Sequence, residues 1–330
     1  MTSPRAIGPV HFGPGAEFDL IRRLVNPDDL LPMGVSLGPG DDAAVLEGGW
    51  VVSTDISLED VHFRRGWLEN KEIGFRAVSC ALSDLAAMAA VPVGVFVSMA
   101  ANDGEVVEAL QSGCREAASE AGAVILGGDL SNTSGPVFID VVGLGRTNRP
   151  GLRSGAITGN EIWVTGRLGA SSTAVRVWQR GGEPPPEARK AFARPSPRCE
   201  EGYYLVEQGI ANALIDLSDG LAGDSAHLAA ASGVQIILEA AAIPVAPIAV
   251  EVLGPEEALQ VALHGGEDYE LCFAAGTDAV DPSYFQDHFG LEITRVGHVC
   301  EGSGVWIDQG GSDPEPLMRS GFDHYAADVL

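Results

Sequence analysis

Apolar and polar positions alternate along this chain with two periods, one helical and one extended, and the switches between them mark the elements. AEFDLIRRL predicts a short helix, with Phe18, Ile21 and Leu24 on one side. GFRAVSCALSDLAAM predicts a second, its stripe running through Phe75, Val78, Leu82, Leu85 and Met88, with Asp84 off that stripe. A third helix is predicted over GEVVEALQSGCREAASEAG, with Asn102 or Asp103 as its cap and Gly122 as its stop. Between and around them VVSTD, PVGVFVSMA and VFIDVVGLG read as strands, and AVILGGD as a strand running into a glycine turn. Residues 1–15 are rich in Gly and Pro and read as a loosely ordered extension.

RTNRPGLRSGAITGNE breaks this pattern with Arg, Gly and Pro, and places the domain boundary there. The expected units are 16–148 and 149–330. The second half repeats the mixed style. IWVTG, VQIIL, DYELCFAA and ITRVGHV read as strands, ALIDLSDGL as a strand and turn, and AGDSAHLAAASG as a helix stopped by Gly233. GGEPPPEARKAFARPSPR reads as a loop with a short helix. Strands and helices mixed in both halves give an α+β (mixed α/β) fold of two layered domains.

With 330 residues and 45% apolar composition the chain can bury a substantial core. The formal net charge of −26 argues against nucleic acid or an anionic membrane as partner. An anionic substrate stays open, because bound metal reverses the local field. Lys71 and Lys190 are the only lysines, and neither follows a Gly-rich loop. Neither G-x-x-x-x-G-K-[ST] nor G-x-G-x-x-G nor the H-R-D of protein kinases occurs. The five cysteines, Cys80, Cys114, Cys199, Cys272 and Cys300, have no C-x-x-C spacing, which fits reduced thiols and a cytoplasmic protein. The N-terminus lacks the apolar core of a signal peptide, and the stretch Ala77 to Ala101 contains Asp84 and Pro92, so a buried helix and strand fit it better than a membrane span.

Aspartates stand at the ends of the apolar runs: Asp41 and Asp42 in GPGDDAAVL, Asp55 in VVSTD, Asp84 in ALSDLAAM, Asp129 in VILGGD, Asp216 and Asp219 in ALIDLSDGL. Taken singly, GDD is an ordinary turn, STD an ordinary cap and LSD an ordinary solvated helix face. Together they are hard oxygen ligands of the kind that hold Mg²⁺ shared with substrate phosphates. HGGEDYELCF also reads as a turn before a strand, and His62 in LEDVHF as a half-buried histidine. Arg153 and Arg167 read either as linker or surface charges or as phosphate forks in a chain short of lysine.

The ordered blocks GDDAAVL, STD-x-x-x-E-x-VHF, LSDLAAM, GGD, LRSG, RPSPR, IDLSDGL-x-x-D, GGEDYELCF and GFDH resemble the thiamine-monophosphate kinases, from about Glu17 to about His324. That family lies in the superfamily of aminoimidazole-ribonucleotide and selenophosphate synthetases. The resemblance implies an N-terminal ATP- and Mg-binding domain that makes a homodimer through its sheet, and a C-terminal domain completing the site. It implies transfer of the γ-phosphoryl group of ATP to thiamine monophosphate, giving thiamine diphosphate and ADP, with several Mg²⁺ ions. Carried over by motif, Asp42, Ser53, Thr54, Asp55, Asp84, Asp129, Asp216 and Asp219 match metal positions. Thr54, Gly128, Asp129, Arg153 and Ser218 match ATP contacts, and His62, Glu267 and Phe322 line the thiamine-phosphate site. No residue is expected to act as general base, because the acceptor phosphate is already largely ionised.

The chain departs from the family pattern at Leu130, where Thr is usual, and at Ala81, where Asn is usual; each change removes a polar side chain expected near the nucleotide. Arg76 stands where Lys is common, and MAA replaces MGA at Met88–Ala90. A selenophosphate synthetase would need an early reactive cysteine, yet the first here is Cys80. A non-catalytic nucleotide sensor and a metal-dependent phosphohydrolase are the alternatives of a different kind.

Overall fold

The computed structural model describes residues 5–311, 313–317 and 321–325. In chain order the first half contains β1 (Arg5–Ala6), α1 (Ala16–Leu24), β2 (Leu30–Leu31), β3 (Val35–Leu37), β4 (Ala44–Leu46), β5 (Trp50–Leu58) and α2 (Asn70–Ala87). It continues with β6 (Val91–Ala101), α3 (Gly104–Glu120), β7 (Val124–Asn132) and β8 (Phe138–Arg146). Strands β3 to β8 form a six-stranded sheet in the order β3-β4-β5-β8-β6-β7. Only the β6–β7 pair is parallel, and α3 makes the crossover that a parallel pair requires.

The alternation in β8 shows which side is covered. Ile139 and Val141 are buried, whereas Asp140 and Val142 are only partly so. Helix α2 lies over the buried side and contacts β5, β8 and α3, and beyond them α6 (Cys199–Glu207) and β10 (Ala211–Asp216) of the second half. That position between layers explains why almost every residue from Ile73 to Ala87 is buried, including those off the apolar stripe. A reciprocal capping box of Glu69 and Glu72 starts this helix. Asp103, one of the two residues predicted to cap α3, does so by accepting from Glu105 N at 2.9 Å. The α2–α3 contact is so close that a Cβ on Gly113 would sit 1.8 Å from Lys71 O.

The second half adds β9 (Glu161–Thr165), α4 (Ala170–Gln179) and α5 (Pro186–Ala193), then α6 and β10, followed by α7 (Leu221–Ser232) and β11 (Gln235–Glu239). It ends with α8 (Pro247–Leu253), α9 (Pro255–His264), β12 (Leu271–Ala275), α10 (Pro282–Phe289), β13 (Ile293–Cys300), β14 (Gly304–Asp308) and β15 (Glu315–Pro316). Its seven-stranded sheet runs β10-β12-β9-β13-β11-β14-β15. One cluster of buried apolar side chains is continuous from Val51 and Leu82 of the first half to Leu214 and Phe273 of the second. The mixed α/β architecture expected from the pattern is therefore the one observed. Among the described residues no helix is long and apolar enough to cross a membrane, and the Ala77–Ala101 stretch divides between α2 and β6.

Two local expectations differ. The glycine turn predicted after AVIL is absent, since β7 continues through Gly127, Gly128 and Asp129 with a bulge opposite Phe96. Gly128 has φ 152°, and a Cβ there would sit 1.8 Å from Val97 O, so close backbone approach demands this glycine. Strand β12 begins at Leu271 instead of Asp268, because Glu267 and Tyr269 take positive φ values of 69° and 51°.

The interlayer contact makes Gly113 a sensitive point. Gly113→Ala should lower the unfolding free energy by about 1–3 kcal/mol, the usual range for overpacking. Urea denaturation would check this, with an unchanged midpoint counting against the close packing.

Candidate active site

Helix α2 presents Arg76, Cys80, Ser83 and Asp84 at successive helical spacings, so one flank meets several loops at once. Asp84, in the last turn, meets Asp42 from the turn between β3 and β4, and Asp216 from the end of β10. Ligand oxygens of the three all lie within 4.8 Å of one another. Ser83 Oγ donates to Asp216 Oδ2 at 2.6 Å. Arg153 Nη2 donates to Asp42 Oδ1 at 2.5 Å, and its backbone N–H reaches both oxygens of Asp41 at 3.2 Å. The other Asp42 oxygen, Oδ2, is buried without a hydrogen-bond partner. Such an orphan costs free energy unless a cation or water meets it.

The carboxyls raise one another. Burial, then the Asp42 charge, pushes Asp41 up to about 7 and Asp216 up to about 7. Burial pushes Asp55 up to about 6, opposed by Arg76. Asp84 is held well above the usual range by burial and by Asp216, Asp55 and Asp42. Asp219 is pushed up to about 7, by burial and then by Glu17. These are the signs of a site built for added positive charge.

A second group joins Asp219 to Asp224 and His227, again with ligand atoms within 4.8 Å. Asp224 Oδ2 accepts from the N–H groups of Asp219 and Gly220, each at 3.1 Å, and so shapes the turn entering α7. His227 Nδ1 accepts from Gly13 N at 2.9 Å, and burial pushes its imidazole down to about 3. Sequence reasoning carried Asp224 only as the last residue of the IDLSDGL-x-x-D block, without a role, and missed His227. Their spacing of three on a predicted helix was the available signal.

The DLSDGL and GGEDYEL loops are knitted together by backbone hydrogen bonds. Glu267 N donates to Ser218 O, Tyr269 N to Leu217 O, and Leu217 N to Glu270 O, each at 2.8 Å. The three acids of GGEDYEL then separate. Glu267 pairs with Arg76. Asp268 accepts from Gly169 N at 2.9 Å, at the start of α4. Glu270 takes Thr165 Oγ1 at 2.6 Å and Arg198 Nε at 2.7 Å, which gives the RPSPR arginine a structural partner.

The GFDH segment closes over the same turn. A Cβ at Gly321 would lie 2.0 Å from Asp219 O, and Phe322 N donates to that oxygen at 3.0 Å. His324 stands 4.9 Å from the ring of His62 and 4.9 Å from that of Phe322. His62 Nδ1 accepts from Leu58 N at 3.1 Å. Burial, helped by His324 and Arg76, pushes His62 down to about 4, so it is neutral near pH 7.

Not every expected residue lies here. Ser53 and Asp55 face α2, and Ser53 Oγ donates to Ala81 O at 3.3 Å. Thr54 points the other way and donates to Asp140 Oδ1 at 3.0 Å. Register places Asp129 opposite Ser98, and Ser98 opposite Asp140, whereas Asp55 aligns through Val141 and Val97 with Gly128. Asp129 is thus on the sheet face away from α2, exposed on an edge strand. Of the departures from the family pattern, Ala81 is fully buried behind β5 and Leu130 is 63% exposed. Arg167 pairs on the surface with Glu292 at 2.8 Å.

Residues 40–147 match the family of AIR synthase related proteins, N-terminal domain. That match spans β4 to β8 and places the six-stranded-sheet half of the chain in that class. It is 33% identical over 311 residues to the thiamine-monophosphate kinase of Rhodopirellula baltica, covering 89% of this chain and 93% of that one. The crystal structure of thiamine-monophosphate kinase from Stenotrophomonas maltophilia K279a is 33% identical, with TM-score 0.74, covering 91% of this chain and 98% of the other. The structure of AaThiL complexed with AMPPCP and TMP gives TM-score 0.80 at 28% identity, covering 93% and 96%. The chain belongs to the thiamine-monophosphate kinase family.

Asp41, Asp216 and Asp219 rise from 3.8 unfolded to about 7 folded, so the native state binds more protons than the unfolded chain between those values. Their contribution to stability is full at low pH and is lost as pH rises through about 7. In the metal-free protein, these groups should make the melting temperature fall between about pH 5 and about pH 8. A divalent cation should restore it most at the upper end. Differential scanning calorimetry at both pH values, with and without the cation, checks this; equal cation effects would count against it.

Proposed function

We propose that this chain transfers the γ-phosphoryl group of ATP to the phosphate of thiamine monophosphate, giving thiamine diphosphate and ADP, with Mg²⁺ as the metal. The reading rests above all on the Asp42, Asp84 and Asp216 cluster, with its orphaned buried oxygen, in a chain of this family. The donor set fits Mg²⁺: it is all oxygen, and carboxylates kept from ionising together are relieved by a hard cation. Asp42, Ser53, Asp55, Asp84, Asp216 and Asp219 are the proposed metal positions on the α2 side, and Thr54 and Asp129, on the other face of the sheet, are proposed as metal positions of the assembled dimer. Bound there, Mg²⁺ would offset the repulsion between two phosphate groups brought into line.

The chain's own residues then have positioning tasks. Arg153 carries the guanidinium nearest the cluster and can fork a phosphate, with Thr54, Gly128, Asp129 and Ser218 as the other proposed ATP contacts. His62, Glu267 and Phe322 are proposed to line the thiamine-phosphate site, with Phe322 offering a ring face to the thiazolium cation. The acceptor's second pKa of about 6 leaves it largely ionised at neutral pH, so no general base is required. A His62 pushed down to about 4 fits a binding role better than proton transfer.

A homodimer belongs to the proposal. The sheet face away from α2 exposes Ile56, Val91, Phe96 and Val124, with Leu126 beside them. A second copy would cover that apolar face. Asp129 and the Thr54–Asp140 pair lie on the same face, so the assembly would bring them into a covered site. We also propose the division between the two units at 148/149, where the six-stranded sheet has ended at Arg146 and the next begins at Glu161.

Incubated with ATP, Mg²⁺ and thiamine monophosphate, the protein should yield thiamine diphosphate and ADP in equal amounts. ADP with free phosphate alone would indicate a hydrolase. Asp216→Asn should lower kcat roughly a hundredfold while the protein stays folded; full rate at low Mg²⁺ would exclude its role. Phe96→Glu should shift the protein to monomer in sedimentation, and an unchanged mass would move the interface elsewhere.

A further inference from the structure

We infer that Arg76 is a positioning residue that sets the affinity for thiamine monophosphate by fixing the Glu267 carboxylate. This rests on the reading that places Glu267 in the substrate site. Arg76 is 3% exposed, deep in α2, and reaches across to the second half. Its Nη1 donates to Phe192 O at 2.7 Å, and its guanidinium carbon stands 4.0 Å over the Phe192 ring and 5.7 Å from that of Tyr269. Nη2 forms an ion pair with Glu267 Oε2, a buried oxygen that accepts no hydrogen bond. Phe192 is itself wedged against Trp178 at 5.5 Å, and Trp178 stacks on Trp67 at 4.9 Å. The guanidinium is therefore clamped on one side; its charge also reaches Asp55, and its other edge pairs with Glu267.

That acid needs holding. Glu267 and Tyr269 both adopt left-handed backbone, φ 69° and 51°, in a segment between α9 and β12. Such non-glycine conformations persist only where surroundings over-determine them. The backbone N–H groups of both are tied to the DLSDGL loop, but those bonds leave the Glu267 side chain free to rotate. Arg76 is the contact that fixes it. Two turns further along the same helix stands Asp84, so one rigid element spaces Glu267 from the carboxylate cluster. Lysine would keep the charge, yet it offers no planar group that can hydrogen-bond Phe192 O, face Glu267 and stack on a ring at once.

The test is steady-state kinetics of the full chain with ATP and thiamine monophosphate varied separately, for Arg76→Met, Arg76→Lys, Glu267→Gln and the Arg76→Met/Glu267→Gln pair. Arg76→Met should raise KM for thiamine monophosphate about tenfold, with kcat and KM for ATP within about twofold. Arg76→Lys should lie between wild type and Arg76→Met. The double variant should bind no worse than Glu267→Gln alone, because Arg76 acts through that acid. An unchanged KM in Arg76→Met, equal rises for both substrates, or additive effects in the pair would overturn the inference. If Arg76→Met fails to melt cooperatively, Arg76→Lys decides: a rise of about threefold for thiamine monophosphate alone supports the inference, and its absence overturns it. If Glu267→Gln itself leaves that KM unchanged, the placement of Glu267 falls and this inference with it; an effect of Glu267→Gln without one of Arg76 removes only the latter.

Discussion

Negative charge withdrawn from water is the condition around which this molecule is arranged. Asp41, Asp42, Asp84 and Asp216 are brought together by a turn, a helix end and a strand end from well-separated parts of the chain. Burial and the neighbouring carboxylates push Asp41, Asp84 and Asp216 well above the usual carboxylate range. Arg153 compensates part of this charge through Asp42, and the orphaned Asp42 oxygen marks where compensation stops. A fold that tolerates such an arrangement trades stability of the empty state for affinity toward a cation, a compromise usual at functional sites.

Helix α2 makes the arrangement possible. Contact with both sheets' layers buries it nearly all round, and a glycine contact with α3 leaves it little room to shift. Polar groups along its length therefore cannot turn to solvent and must find partners: Arg76 in Glu267, Ser83 in Asp216, Asp84 in the cluster. Rigidity of this element carries the spacing between phosphate chemistry and substrate recognition.

Much of this was legible in the sequence. The apolar stripe that left Asp84 to one side located α2 and its acid, and the strand ends located Asp55 and Asp216. The mixed fold followed from the same periodicities. What the sequence concealed depends on partners distant along the chain. GGEDYEL read as a turn before a strand, but its acids serve Arg76, Gly169 and Arg198 separately. Asp129 looked equivalent to Asp55 as a strand-end acid, whereas register turns it to the other face and a bulge carries the strand past it. Helices α4, α6, α8, α9 and α10 and strands β1 to β4, β14 and β15 lay beyond the elements predicted. They are short or interrupted by Pro and Gly, and tertiary contacts decide them.

The Asp323 carboxylate accepts from Ala16 N at 2.5 Å and Glu17 N at 3.2 Å, closing the first turn of α1. A ribosome emits α1 roughly three hundred residues before that cap. Throughout synthesis the helix begins with bare N–H groups, and the turn around Asp219 lacks the strand of chain that will press on it. The substrate side is thereby completed only once a segment 307 residues beyond the start of α1 has been made.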